Sequence, residues 1–268
     1  MCAVPVTSIE SPLPALNGRP DMLLHPTLDL LNELGLAGMA RGFQSLDVQP
    51  EARALDHAEW LGLLLDQEVT VRRQKRFESR ARTARLRQDA SIEDVDYQAA
   101  RGLDRGLFLK LGSCDWIRSK RNLLITGPCG VGKSFLACAL GQKACREDFS
   151  VVYHRASRLF AMLTLGRSDG RYARMLRALS RASLLIIDDW GPEALNADRR
   201  RDLLEIVEDR YDRGSIVITS QVPVDRWYEI IGNPTLADAI LDRVIHNAYR
   251  IELSGESLRK RGSPLQDA

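Results

Sequence analysis

Two kinds of hydrophobic spacing divide the chain. Between about Pro26 and Arg87, apolar residues such as Leu28 and Leu31, then Leu36, Met39 and Phe43, recur within each group every three to four positions, the period of an amphipathic helix. Pro26 suits a first helical turn, whereas Gly35, Gly38 and Gly42 are expected to weaken or break the helix that follows. Asp56 with Glu59 three residues on forms a capping-box variant ahead of Trp60, Leu61, Leu64 and Leu65. The helix opened there can run on into an arginine-rich stretch. Residues 1–88 therefore read as a small all-helical domain.

Beyond a polar connector at Asp89–Asp94, the pattern changes to short apolar runs separated by amphipathic stretches. Leu123–Thr126, Val151–His154, Leu184–Asp188, Ile216–Ser220 and Tyr249–Leu253 are candidates for buried strands, and helical patterns fill the gaps. Such alternation predicts βαβ crossovers and a parallel sheet covered on both faces, an α/β domain over residues 89–262. Residues before about Pro20 and residues 263–268 read as flexible ends.

Composition narrows this picture without redrawing it. Hydrophobic residues make up 44% and charged residues 28% of the 268, which excludes collagen-like, low-complexity and fully disordered chains. The apolar runs fall far short of the ~18 residues of a spanning helix. Met1–Leu16 has neither the basic nor the apolar region of a secretory signal, so a cytoplasmic location without a membrane partner is expected. The five cysteines, Cys2, Cys114, Cys129, Cys138 and Cys145, form no C-x-x-C pair and read as reduced thiols. Cys138 and Cys145 fit one face of a helix as small hydrophobes. The net charge of +2 says little, but Arg72, Arg73, Lys75, Arg76, Arg80, Arg82, Arg85 and Arg87 crowd one segment opposed mainly by Glu78.

The strongest chemical signal is Gly127-Pro128-Cys129-Gly130-Val131-Gly132-Lys133-Ser134, which fits G-x-x-x-x-G-K-[ST] between a predicted strand and a helix from Phe135 to Cys145. Glycines let such a loop turn its N–H groups inward, and the helix N-terminus adds positive potential, so together they bind phosphate. Lys133 would reach the β and γ phosphates, and the Ser134 hydroxyl would serve Mg²⁺. Leu184–Asp189 is an apolar strand ending in two carboxylates. Asp188 fits the metal side; Asp189 would orient or deprotonate the attacking water. Ser220 and Gln221 end the next strand, and either could approach the γ phosphate. Arg243, on a helical stretch, is a surface ion-pair partner or a residue that stabilises transition-state charge on a neighbouring subunit's nucleotide.

The sign imbalance between Arg72 and Arg87 suggests nucleic-acid phosphate binding. Arg171, Arg174, Arg177 and Arg181 add a guanidinium stripe along another helix. No zinc-finger, recognition-helix or RNP aromatic pattern accompanies them, so sequence-specific readout is not supported.

These segments resemble the IstB family of transposition helper ATPases, AAA+ proteins related to bacterial replicative helicase loaders. The likeness spans roughly Leu24–Lys260 and is carried by Gly127–Leu140, Leu184–Gly191, Asp202–Tyr211, Thr219–Trp227 and Asn233–Lys260. It implies an AAA+ P-loop core with a five-stranded parallel sheet, in which another strand separates the Asp188 strand from the P-loop strand, preceded by a helical DNA-associating domain. It also implies an ATP- and Mg²⁺-dependent protein that assembles on double-stranded DNA as a homo-oligomer, remodels it and recruits a transposase, with hydrolysis limiting the assembly. By the same likeness Arg243 becomes the finger across a subunit interface, and Ser220 or Gln221 the sensor. Asp189 stands where AAA+ proteins generally carry Glu, which keeps a nucleotide-switched DNA scaffold with little turnover in play beside a helicase loader. A small-metabolite kinase would explain neither the basic helical region nor the likeness after Thr219.

Overall fold

A computed structural model of the chain describes residues 26–258; the ends read above as flexible lie outside them. The fold divides into two compact units, Met1–Arg73 and Gln74–Ala268.

The first unit holds α1 (Pro26–Glu33), α2 (Ala37–Asp47) and the first half of α3 (His57–Ala84). The chain turns between α1 and α2 at Gly35, whose φ of +70° is costly for other residues. Gly38 and Gly42, expected to weaken a helix, instead lie within α2 and are buried. A Cβ on Gly38 would stand 2.5 Å from the Glu68 Cα, and one on Gly42 would stand 3.0 Å from Leu64 Cδ2. These glycines permit close packing of α2 on α3. Glu68 completes the contact, accepting from the Gly38 N–H at 2.6 Å and the Met39 N–H at 3.2 Å, and so serves the open first turn of α2. The capping box before α3 is reciprocal, with Glu59 N–H donating to Asp56 at 2.7 Å and Asp56 N–H to Glu59 at 3.1 Å.

The sequence pattern extends the helical domain to residue 88, but the units part within α3. The reason is local: Phe77, on the second half of α3, packs on the core of the second unit, and Arg80 donates to Asp148 at 2.6 Å.

The second unit continues through α4 (Arg105–Gly112), α5 (Asp115–Arg118), β1 (Asn122–Thr126), α6 (Lys133–Arg146), β2 (Val151–Arg155), α7 (Ala156–Ser168), α8 (Tyr172–Arg181) and β3 (Leu184–Trp190). It closes with α9 (Ala197–Arg210), β4 (Ser215–Ser220), α10 (Trp227–Ile231), α11 (Pro234–Ile245) and β5 (Ala248–Glu252). All five strands are parallel, in the order β2-β3-β4-β1-β5. Leu123, Ile125, Ile186 and Val217 enter the core on one face; Leu124, Leu185, Ile187, Ile216 and Ile218 enter the core on the other. Both faces are covered, which is why the strands read as continuous apolar runs rather than alternating ones. Cys138 and Cys145 are buried on α6, where desolvation pushes the Cys145 thiol up to about 11. Among the described residues, no helix is long and apolar enough to cross a membrane.

Candidate nucleotide-binding site

The P-loop links the end of β1 to the start of α6. Gly127 has φ +145°, and a Cβ there would meet Leu253 O at 2.4 Å. Gly132, at φ +97°, is similarly closed in by Arg101 Nη1 at 2.5 Å. Neighbouring segments hold the loop from outside: Gly127 N–H donates to Ser220 O at 3.2 Å, and Leu258 N–H to Gly130 O at 3.0 Å. The Arg101 guanidinium, 2% exposed, donates to Val131 O at 3.1 Å and to Asp96 O at 2.9 Å. Val131 is buried, whereas Pro128 and Cys129 form the exposed tip. Lys133 Nζ donates to Gly127 O at 2.6 Å and Pro128 O at 2.7 Å, so the loop's own carbonyls hold the ammonium at its mouth.

Beside the loop lies a cavity of about 440 Å³. Gly130, Gly132, Lys133, Ser134 and Phe135 line it on one side; Asp189, Thr219 and Gln221 line it on another. Asp188 is fully buried at the end of β3 and accepts three hydroxyl hydrogen bonds. Ser134 donates to Oδ1 at 2.7 Å, Thr219 to Oδ1 at 2.6 Å and Tyr153 to Oδ2 at 2.6 Å. Burial pushes the Tyr153 phenol far up, and its bond to Asp188 reinforces the shift, so Tyr153 remains a donor at any ordinary pH. Ser134 Oγ and Asp188 Oδ1 are hard oxygens converging at one point, a donor set that fits Mg²⁺ bound through few protein oxygens with water completing its shell.

A bulge separates the two carboxylates. In the β3–β4 register Ile187 faces Ile218 and Trp190 faces Ser220, so Asp188 and Asp189 together span a single step of β4. Asp189 takes φ +61° there. The extra residue re-aims its side chain from the packed interior to the cavity. Gln221 Nε2 donates to Asp189 at 3.3 Å, and Arg155 Nη2 stands 3.9 Å from its other oxygen.

The two sensor candidates separate. Gln221 lines the cavity, whereas Ser220 is fully buried, donates to Trp190 O at 2.8 Å and accepts from Val222 N–H at 3.0 Å. Arg243 lies elsewhere. Asn122, at the first position of β1, donates to Arg243 O at 3.1 Å, whereas the P-loop follows the last position of that strand. Its guanidinium donates to Ala239 O at 2.8 Å and pairs with Glu208 at 3.3 Å.

The basic helix is less unopposed than its sequence suggests. Glu68 accepts from Arg72 at 2.6 Å, and Asp148 takes Arg80 at 2.6 Å with Arg76 at 3.8 Å. Arg73 and Lys75 are exposed. On the second stripe, Arg171 is held by Asp169, and Arg174 and Arg177 are exposed. Sequence reasoning missed Tyr153, Thr219, Arg87, Arg101 and Arg155 around the cavity and its carboxylates. Only Thr219 carried a usable signal, as a hydroxyl at the end of a strand already suspected.

A family model described as IstB-like ATP binding protein matches residues 29–265. The insertion sequence ATP-binding protein y4pL of Sinorhizobium fredii is 62% identical over 239 residues, covering 89% of this chain and 98% of that protein. The insertion sequence IS21 ATP-binding protein of Pseudomonas aeruginosa is 33% identical over 236 residues, covering 88% and 89%. Among solved structures, DnaI superposes with a TM-score of 0.54 at 22% identity, over 62% of this chain and 91% of that one. AMPPCP-bound DnaA from Aquifex aeolicus gives 0.52 at 16% identity, over 65% and 53%. At these identities the structures establish a shared fold, that of AAA+ P-loop proteins.

Proposed function

The chain belongs to the IstB-like family of ATP-binding proteins and is a P-loop ATPase with an AAA+ core; on that premise we propose that it assembles on double-stranded DNA, with ATP and Mg²⁺, as a transposition helper. In this reading the oligomer remodels its target and recruits the transposase of its insertion sequence, and hydrolysis limits how long the assembly lasts.

One observation supports this reading most: Lys133, Ser134 and Asp189 share a cavity, with Asp188 behind it, while Arg243 sits at the other end of β1. Five strand residues span about 13 Å at ~3.3 Å per residue, so a finger role for Arg243 requires a second subunit's nucleotide. The P-loop amides and Lys133 would take the phosphates. Ser134 and Asp188 would hold the metal, which screens phosphate charge. Asp189, steadied by Gln221, would orient water and accept its proton. Phosphate contacts from Arg73, Lys75, Arg174 and Arg177, with Arg72, Arg76, Arg80 and Arg171 exchanging their acidic partners for phosphate, would position the protein without reading sequence.

The test is steady-state ATP hydrolysis with and without double-stranded DNA, for the wild type and Lys133→Ala. DNA stimulation that disappears in the variant supports the reading. Turnover indifferent to DNA, in a protein that binds both ligands, overturns the coupling. Capture of the transposase rather than a replicative helicase distinguishes the helper from a loader.

A further inference from the structure

Tyr153 lies on β2, an edge strand, opposite Ile186 of β3. Its ring reaches diagonally along the neighbouring strand to Asp188, a span open to an aromatic side chain. The residue is 8% exposed and is not among those lining the cavity. For packing alone Phe would serve. The hydroxyl's hydrogen-bond partner is Asp188 Oδ2, while Oδ1 takes Ser134 and Thr219. Arg87 Nη1 stands 4.0 Å from that same Oδ2 and lines the cavity, a cation ready to draw the carboxylate round if Oδ2 lost its donor.

Resting on the metal assignment above, we propose that Tyr153 is a positioning residue for the metal side of the site: by donating to Oδ2 it fixes the rotation of Asp188, so that Oδ1 faces Ser134. Partners of this kind orient metal-binding carboxylates, and their loss typically costs 10–100-fold in metal affinity.

The readout is the ratio of affinities for a fluorescent ATP analogue in Mg²⁺ and in EDTA, with Mn²⁺ binding to the protein–nucleotide complex followed by electron paramagnetic resonance. For Tyr153→Phe, affinity in EDTA should stay within about twofold of wild type, while the metal enhancement and Mn²⁺ affinity fall about tenfold or more. Ser134→Ala supplies a second arm: if both residues act through one metal, adding Tyr153→Phe to it should cost clearly less than it costs the wild type. An unchanged metal enhancement in Tyr153→Phe, or fully additive losses in the double variant, overturns the inference alone. A wild type whose affinity is the same in Mg²⁺ and EDTA overturns the metal assignment together with it.

Discussion

Asp188 and Arg210 are charged side chains buried at opposite ends of one sheet, and the hydrogen-bond partners of each are neutral groups. Asp188 takes hydroxyls from Ser134, Thr219 and Tyr153. Arg210, 1% exposed, donates to the carbonyls of Leu179, Ala182, Ser183 and Ser215, and burial pulls its guanidinium down to about 10. The partners differ in kind. A hydroxyl both donates and accepts, so Ser134 and Thr219 can turn from the carboxylate toward an arriving cation; a carbonyl only accepts. Asp188 also adjoins a cavity, whereas Arg210 is enclosed by the last turn of α8 and the beginnings of β3 and β4. One arrangement is suited to exchanging partners; the other fastens elements together.

The contrast predicts that chemistry and stability can be damaged separately. The largest effect is expected for Asp189→Asn, with nucleotide affinity retained and turnover reduced about 10²–10⁴-fold, as for loss of a general base; single-turnover hydrolysis and binding measured side by side check this. Equal losses in both would contradict the division between phosphate binding and water activation. Arg210→Met should do the reverse. It strands several buried carbonyls and should cost about 3 kcal/mol in urea unfolding, while the variant that remains folded keeps its nucleotide affinity.

Adjacent residues at the cavity end sharpen the comparison. Gln221→Ala should slow turnover about tenfold by releasing Asp189, whereas Ser220→Ala should instead lower stability by about 1 kcal/mol by freeing Trp190 O and Val222 N–H. Stopped-flow hydrolysis and thermal melts of the pair separate the two. The smallest effect falls in the helical unit. Arg72 first, with the Gly38 and Met39 N–H groups, holds the Glu68 carboxyl below its ordinary 4.5. The folded state therefore binds that proton less readily than the unfolded chain does. The contribution is full above about pH 4.5 and is lost as pH falls through the folded value. Glu68→Gln should flatten this acid limb in a circular-dichroism titration, leaving stability at pH 7 lower than wild type.

Strands and phosphate loop were legible because their signals are local. β1, β3 and β4 each carry an unbroken apolar run from being buried on both sides, and G-x-x-x-x-G-K-S is a contiguous instruction for a turn and a helix start. The surroundings of Asp188 were not legible in that way: Tyr153 and Thr219 come from the two strands flanking β3, and no spacing in the chain states that β2 and β4 are its neighbours. Gly38 and Gly42 were misread because helix propensity penalises glycine, whereas the close approach of α3 requires it. The charge run between Arg72 and Arg87 was counted along the sequence, yet the carboxylate that takes Arg80 and lies near Arg76 belongs to Asp148.

The hydrogen bonds that hold the P-loop from outside also set an order on its making. Leu253 N–H donates to Thr126 O at 2.7 Å and Leu258 N–H to Gly130 O, so the loop leans on residues synthesised long after it. At ~5–20 residues per second, a ribosome that has just added Ser134 needs on the order of ten seconds to reach Leu258. β1 gains its neighbours β4 and β5 only along the way, and until the last of these residues is made a nascent chain bearing the complete phosphate motif has no finished pocket in which to use it.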